Sequence, residues 1–509
     1  MNFIQQTAFD LVQGLASGSF SSEEVTKDFI QQILHHDNRV GAYLKFDPTD
    51  PLTRASEFDR VKKAQPLPGP NLGQLCGLPV AVKDVICVKD QTTSCSSRIL
   101  EQFIAPYDAT VVEQLKKANG IVLGRTNMDE FAMGSSTENS AYQTTQNPWK
   151  LDCVPGGSSG GAAACVAARM APLSLGSDTG GSVRQPAAFC GITGLKPTYG
   201  RISRYGLVAF ASSLDQVGIL ARDSRDVALL LNTCAGHDPK DSTSASVKTQ
   251  DYLANLDHSV REIKVGIPRE YLDEGLNPEI RNALDEAKQV LRSLGIKLVD
   301  LSLPMTAYGV ATYYLVASCE ASGNLARYDG AHYGLRANSG EDSSENELLR
   351  MYRKTRSEGF GTEVKRRIML GTYALSSGYY DAYYLKALKT RRLIQEELKL
   401  AFQDVDLILG PTTPTTAYRI GEKSADPLAM YLGDIYTVVA NLAGIPAISF
   451  PAGISSSGLP IGLQLQGPAF SENLLLQATH AFQTLTDWHR KDPDFITQGL
   501  SPPREGHHD

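Results

Sequence analysis

Residues 155–194 read PGGSSGGAAACVAARMAPLSLGSDTGGSVRQPAAFCGITG, and no other stretch restricts the fold of this chain as strongly. Its glycine and serine content exceeds what a connecting loop needs and implies two tight turns, GGSSGG at 156–161 and SDTGGS at 177–182. Glycine admits backbone conformations closed to other residues and lets amide N–H groups approach a bound ligand closely. The alanine-rich run Gly161 to Ala168 predicts a helix directly after the first turn, with its free N–H groups facing that turn. Each turn is therefore suited to hold an anion or an oxyanion. A structural role alone, packing helix against sheet, accounts for one such turn but poorly for two.

The flanking sequence predicts helices alternating with strands. Ser21 and Glu24 form a capping box, and Val25, Phe29 and Ile33 recur every four residues behind it. Asp47 to Gly73 is rich in proline and polar residues and reads as a connection. Leu78 to Asp84 (LPVAVKD) reads as a short buried strand ending in charge, which places Lys83 on the same face as Ala81. The helical pattern Val111, Val112, Leu115 passes through Asn119-Gly120 into a strand at Ile121–Leu123. Asn277-Pro278 opens a helix through Ile280, Leu284, Ala287 and Leu291, followed by Gly295 and a strand near Ile296–Leu301. Leu407–Leu409 and Ile461–Leu463 read as strands, and Ser471-Glu472 starts a helix through Leu475 and Phe482. The expectation is an α/β fold of one large domain over 1–490, a central mixed sheet covered by helices on both faces. The catalytic core is expected at about 70–220, and residues 491–509, above all Pro502 to Asp509, as a loosely packed tail.

Composition excludes several function classes. The formal net charge of −7 argues against wide, sequence-independent clamping of a phosphate backbone. No apolar run approaches the roughly 20 residues that cross a bilayer. The eight cysteines contain no CxxC pair, so neither a zinc knuckle nor a disulfide framework is expected, and no metal site is assigned. MNFIQQTAFD lacks the basic and apolar regions of an export signal, which leads to the expectation of a cytoplasmic protein with no membrane partner.

Three chemistries compete for the glycine-rich turns. A phosphate-binding loop needs G-x-x-x-x-G-K-[ST], and neither turn supplies it, since Lys196 lies beyond the second turn and precedes Pro197. Gly156-Gly157-Ser158-Ser159-Gly160 fits a G-x-S-x-G nucleophile elbow, for which His237, His258, His332, His480 or His489 would have to serve as the base. An elbow follows a buried apolar strand, whereas Trp149 to Pro155 (WKLDCVP) is polar and contains proline. A third arrangement uses lysine as the ultimate base and needs no histidine. That economy suits a chain with no histidine between His36 and His237.

Through Lys83 in AVKD, GGSSGG at 156–161 and GSDTGGSVRQPAAFCG at 176–191, the sequence resembles the amidase signature family. The separations, 75 residues from Lys83 to Ser158 and 24 from Ser158 to Ser182, fit that family's layout. The resemblance implies that Ser182 is the nucleophile and acyl-ester residue, Ser158 the proton relay after a cis Gly157–Ser158 bond, and Lys83 the base. It also implies an oxyanion hole from the amides of Thr179, Gly180, Gly181 and Ser182. For lysine to act as a base its amine must be neutral, so burial or neighbouring positive charge must depress an ordinary pKa of about 10.4.

Residues 313–334, 357–384 and 434–453 extend the resemblance to the glutamine-hydrolysing members of the family, which serve tRNA-dependent amidotransferases. That implies a ligase subunit of protein biosynthesis, acting on glutamine within a heterotrimer. Its B subunit would bind ATP and Mg²⁺ and amidate Glu-tRNA(Gln), or also Asp-tRNA(Asn), beside a small C subunit. No cofactor is expected in this chain. Free glutamine carries an ammonium and a carboxylate, and Arg367 and Asp434 with Tyr313 are the candidate pocket; Arg366, Asp426 and Tyr314 are the alternatives. The rival functions are a stand-alone amidase for a small amide, with the same triad but another pocket, and a non-catalytic subunit whose turns hold only an anion.

Overall fold

The protein is described by a computed structural model covering residues 2–64, 73–273, 275–338 and 346–498. Ten strands form one mixed sheet: β1 (Pro79–Lys83), β2 (Ile121–Thr126), β3 (Leu173–Asp178), β4 (Thr193–Lys196), β5 (Gln216–Ala221), β6 (Lys264–Pro268), β7 (Lys297–Leu301), β8 (Leu407–Pro411), β9 (Ala447–Ile454) and β10 (Pro460–Gln466). Their order is β2-β1-β3-β5-β4-β9-β10-β8-β6-β7. β1 runs parallel to both neighbours, the centre from β3 to β8 is antiparallel, and β8, β6 and β7 are again parallel. Every residue of β1, β3, β4 and β5 is buried, as expected of strands covered on both faces.

Helices cover the sheet on both faces, as the sequence predicts. Gly160–Ala167 and Arg184–Cys190 pack on one side, where Gly176, Gly194 and Gly218 face Val183 closely. Ser224–Cys234 and Glu472–Leu485 pack together against the central strands. The capping box of the helix Ser22–Val40 is formed: Ser21 Oγ accepts from Glu24 N at 3.1 Å, and the Glu24 carboxylate accepts from Ser21 N at 2.8 Å. Asn277 caps Pro278–Ser293 through Glu279 N at 2.8 Å.

Two stretches depart from the sequence reading. Within Asp47–Gly73, Thr49–Ala64 is a helix, although its pattern is only weakly amphipathic. Tertiary contact supplies what periodicity lacks. Pro51 fits its first turn, Ala55 is buried, and the Asp59 carboxylate accepts from Ser22 N and Glu23 N, both at 2.9 Å, at the start of the neighbouring helix. The described part of the expected loose tail is packed: Asp492 pairs with buried Arg169, and Ile496 joins the core. Pro502 to Asp509 lie outside the described residues. The eight cysteines are buried and unpaired, no described helix is long and apolar enough to cross a membrane, and no described His/Cys/Asp/Glu cluster is able to hold a metal ion.

Candidate active site

Parallel pairing of β1 with β3 brings Lys83, at the end of β1, beside Ser177, at the end of β3. The turn before the helix Gly160–Ala167 closes over both. Lys83 Nζ lies 2.8 Å from Ser158 Oγ, 2.8 Å from Ser159 Oγ and 2.9 Å from Ser177 Oγ. Strand, turn and neighbouring strand thus converge on one amine. Burial pulls the Lys83 amine down to about 7, against the opposing pull of the Asp129, Asp178 and Asp215 carboxylates.

The Gly157–Ser158 peptide is cis. Gly157 N–H donates to Gln185 Oε1 at 2.9 Å, and a Cβ on Gly157 would lie 2.1 Å from Asp129 Oδ2 and 2.6 Å from Ser136 N. Only glycine fits this approach. Asp129 in turn accepts from Thr137 N at 2.9 Å and Asn139 N at 3.1 Å, and burial pushes its carboxyl up to about 6.

The second turn is organised by Asp178. Its carboxylate takes a two-point ion pair from Arg184, at 3.1 and 3.2 Å, and accepts from Gly181 N at 2.8 Å and Val183 N at 3.2 Å. Burial alone would raise this carboxyl, but Arg184, Lys196 and Asn441 hold it down at about 2. Ser182 is buried at the start of the following helix, and its carbonyl accepts from Ser159 N at 3.1 Å. Ser182 Oγ has no hydrogen-bond partner among the described residues, so of the two contacts expected of Ser158, that to Lys83 is formed and that to Ser182 is not. The amides of Thr179, Gly180 and Ser182 are free of acceptors among the described residues. That of Gly181 is not: it is committed to Asp178, which removes Gly181 from the expected set of oxyanion donors in this conformation.

The candidate amino-acid pocket adjoins this turn. Thr437, three residues after Asp434, donates to Gly180 O at 2.7 Å, and the Tyr313 ring packs on Gly180. Arg367 is buried, bonded through Nε to Glu363 at 2.7 Å, with Tyr314 and Tyr431 rings 4.5 and 4.9 Å from its guanidinium carbon. Asp434 accepts from Tyr314 OH at 2.8 Å and Ser135 Oγ at 3.3 Å, and burial pushes its carboxyl up to about 7. The sequence alternatives separate cleanly. Arg366 is partly exposed on the outside of its helix, and Asp426 is an exposed helix cap bonded to Leu428 N and Ala429 N. Tyr313 and Tyr314 both line the pocket.

The elbow histidines lie elsewhere: His480 contacts Ser224 and Asp257, His237 contacts Ser244 O, His332 pairs with Asp329, and none bonds Ser158 or Ser182 among the described residues. Sequence reasoning missed Asp129, Ser135, Ser159, Ser177, the Asp178–Arg184 pair, Glu363, Thr437 and Tyr431. Ser159 and Ser177 stood inside the singled-out turns, where hydroxyls flanking a buried lysine were a usable signal. Asp178 and Arg184 also stood inside the singled-out stretch, and Glu363 stands one helical turn before Arg367, whereas Asp129, Ser135, Thr437 and Tyr431 meet the site only through long-range contacts.

A family model described as Amidase matches residues 24–476. The chain is 53% identical over 489 residues to the glutamyl-tRNA(Gln) amidotransferase A subunit of Geobacter metallireducens, covering 96% of this chain and 99% of that one. It is 54% identical over 494 residues to the protein of the same name from Moorella thermoacetica, covering 97% and 99%. The crystal structure of the Thermotoga maritima protein of that name superposes with a TM-score of 0.79 at 40% identity, over 97% of this chain and 98% of that one. Matched along almost its whole length in sequence and in fold, the chain belongs to the amidase family.

Proposed function

We propose that this chain is the glutamine-hydrolysing subunit of a tRNA-dependent amidotransferase. The observation that carries this reading is the buried Lys83 amine, 2.8 Å from Ser158 Oγ and beside a pocket that offers one cation, Arg367, and one anion, Asp434. The names of the full-length relatives support the same substrate.

Amide hydrolysis needs an activated nucleophile, stabilisation of the oxyanion and a proton for the departing nitrogen. Ser159 Oγ donates to Ser177 O at 3.0 Å and so only accepts from Lys83; Ser177 Oγ takes a second N–H. On a neutral amine that leaves the lone pair facing Ser158. Ser158 gives its proton to Lys83 and takes one from Ser182 as Ser182 Oγ attacks the glutamine side-chain carbonyl. The amides of Thr179, Gly180 and Ser182 receive the oxyanion, and reversal of the relay protonates the leaving ammonia. Water then cleaves the glutamyl-Ser182 ester along the same path. Arg367 receives the glutamine carboxylate and Asp434 its ammonium.

On this reading the ammonia passes to a B subunit, which binds ATP and Mg²⁺ and amidates Glu-tRNA(Gln) or Asp-tRNA(Asn), with a C subunit completing a cytoplasmic heterotrimer. An acidic chain without a nucleotide-binding loop suits that division of labour. The test is co-expression with candidate B and C subunits and assay of glutamine-dependent amidation of Glu-tRNA, with mass-spectrometric trapping of the acyl adduct on Ser182. Brisk turnover of a non-amino-acid amide, indifferent to the partner subunits and to Glu-tRNA, would instead establish a stand-alone amidase. Failure to trap any adduct during turnover would remove Ser182 from the mechanism.

A further inference from the structure

Arg367 and Asp434 carry opposite charges in one pocket, yet they form no ion pair with each other in the described structure. Tyr314 stands between them: its hydroxyl donates to Asp434 at 2.8 Å, while its ring lies against the Arg367 guanidinium at 4.5 Å. Tyr431 stacks on Tyr314 with ring centroids 3.9 Å apart and an interplanar angle of 26°. Glu363 ties this stack to the arginine, since one oxygen, Oε1, accepts from Arg367 Nε at 2.7 Å and from Tyr431 OH at 2.8 Å. Its other oxygen is held by Arg366 from the outer side of the same helix.

A guanidinium has five N–H donors in a fixed plane, so fastening Nε fixes where its Nη edge points. Glu363 consumes Nε, the stacked pair of tyrosines lies against the guanidinium, and the Nη groups of Arg367 have no acceptor among the described residues. The remaining edge is the one that fits a carboxylate through two parallel hydrogen bonds. Burial would push the Glu363 carboxyl up, but Arg367 reverses this and keeps it charged.

We propose that Glu363, through its shared bond to Arg367 and Tyr431, is a positioning residue that orients Arg367 for the substrate α-carboxylate and so sets the preference for amino-acid amides. This rests on the glutaminase reading above and extends it, because it assigns substrate selection to a residue that does not touch the substrate. Glu363 bonds neither Asp434 nor any member of the Lys83 relay, so its loss affects carboxylate recognition and leaves that relay intact.

The experiment compares the complete amidotransferase carrying wild-type chain, Glu363→Ala, Glu363→Gln or Tyr431→Phe, with glutamine and with a primary amide of similar length that lacks the α-carboxylate. Glu363→Ala is expected to raise the glutamine KM at least about 10-fold with kcat changed less than about 3-fold, and to leave kcat/KM for the second amide unchanged. Glu363→Gln keeps the oxygen that accepts from Arg367 and is expected to recover a KM near the wild-type value; Tyr431→Phe is expected to fall between. Equal losses on both substrates, no change in the glutamine KM, or no recovery by Glu363→Gln would overturn the assignment. A wild-type complex that turns over the second amide but not glutamine would overturn the glutaminase reading itself, and this inference with it.

Discussion

Lys83 Nζ and Ser158 Oγ stand 2.8 Å apart in a fully buried setting, and three hydroxyls are the amine's only close side-chain partners among the described residues. No described carboxylate is bonded to it, so burial decides its protonation and draws it down to about 7. A base works only when deprotonated, so kcat for glutamine hydrolysis is expected to rise with pH through about 7 and then level off. Lys83→Arg stays protonated at every accessible pH and is expected to lose about 10²- to 10⁴-fold in kcat with no rising limb. Ammonia release at saturating glutamine between about pH 5.5 and 9 measures both. A flat wild-type profile would remove Lys83 as the base.

The two serines act in one proton path, so their substitutions are expected not to add. Ser182→Ala should abolish glutaminase activity and acyl-adduct formation together. Ser158→Ala should lower kcat severely while leaving the KM for glutamine close to wild type. The double variant should be no slower than Ser182→Ala alone, as expected of groups that function as a unit. Additive losses would place the serines in separate steps.

Gly181 adopts φ +131°, a backbone setting that side chains of L residues rarely occupy, and a Cβ there would lie 2.3 Å from Thr437 Oγ1. Thr437 Oγ1 already bonds Gly180 O at 2.7 Å, so it has little room to yield. Gly181→Ala is therefore expected to cost about 1–3 kcal/mol of stability from overpacking and to displace the oxyanion turn, with kcat falling further than stability accounts for. Gly323, inside the helix Gly309–Asn324 with open space around its α-carbon, is the control. Gly323→Ala is expected to be neutral or to stabilise by up to about 1 kcal/mol. Denaturant unfolding alongside kinetics checks the pair, and a Gly181→Ala enzyme of normal stability and rate would contradict the account.

What the sequence disclosed and what it withheld divide along contact range. The capping box at Ser21 and Glu24, the strand ending in Lys83 and the two serine turns depend on neighbours close in the chain, and all stand where the spacing put them. Thr49–Ala64 was illegible because its helix is fixed by the contact of Asp59 with the start of another helix, not by its own periodicity. Arg366 and Arg367 are adjacent on a helix and point about 100° apart, so only the direction of the core decides which enters the pocket. Gly181 is the local exception: successive glycine amides converge and so read as oxyanion donors, yet Asp178, only three residues earlier in the same turn, takes the Gly181 hydrogen. Glu363 and Tyr431 meet across 68 positions of the chain, a pairing that no window of sequence contains.

Asp434 supplies a second pH dependence, separable from that of Lys83 because it acts on binding. Burial raises its carboxyl to about 7, despite the bond from Tyr314 and the charge of Arg367. The carboxylate receives the glutamine ammonium only when ionised. As pH falls through about 7 it takes up a proton, the ammonium loses its partner, and KM is expected to rise; above about 8 KM should be constant. Asp434→Asn preserves shape but not charge. It is expected to raise KM at least about 30-fold at pH 8, corresponding to the roughly 2 kcal/mol or more that truncating one side of a buried charge pair costs. It should also flatten the dependence of KM on pH while leaving the kcat profile governed by Lys83. Steady-state glutaminase assays across pH on both enzymes decide the matter: a KM profile that survives Asp434→Asn unchanged would move the ammonium site to another residue.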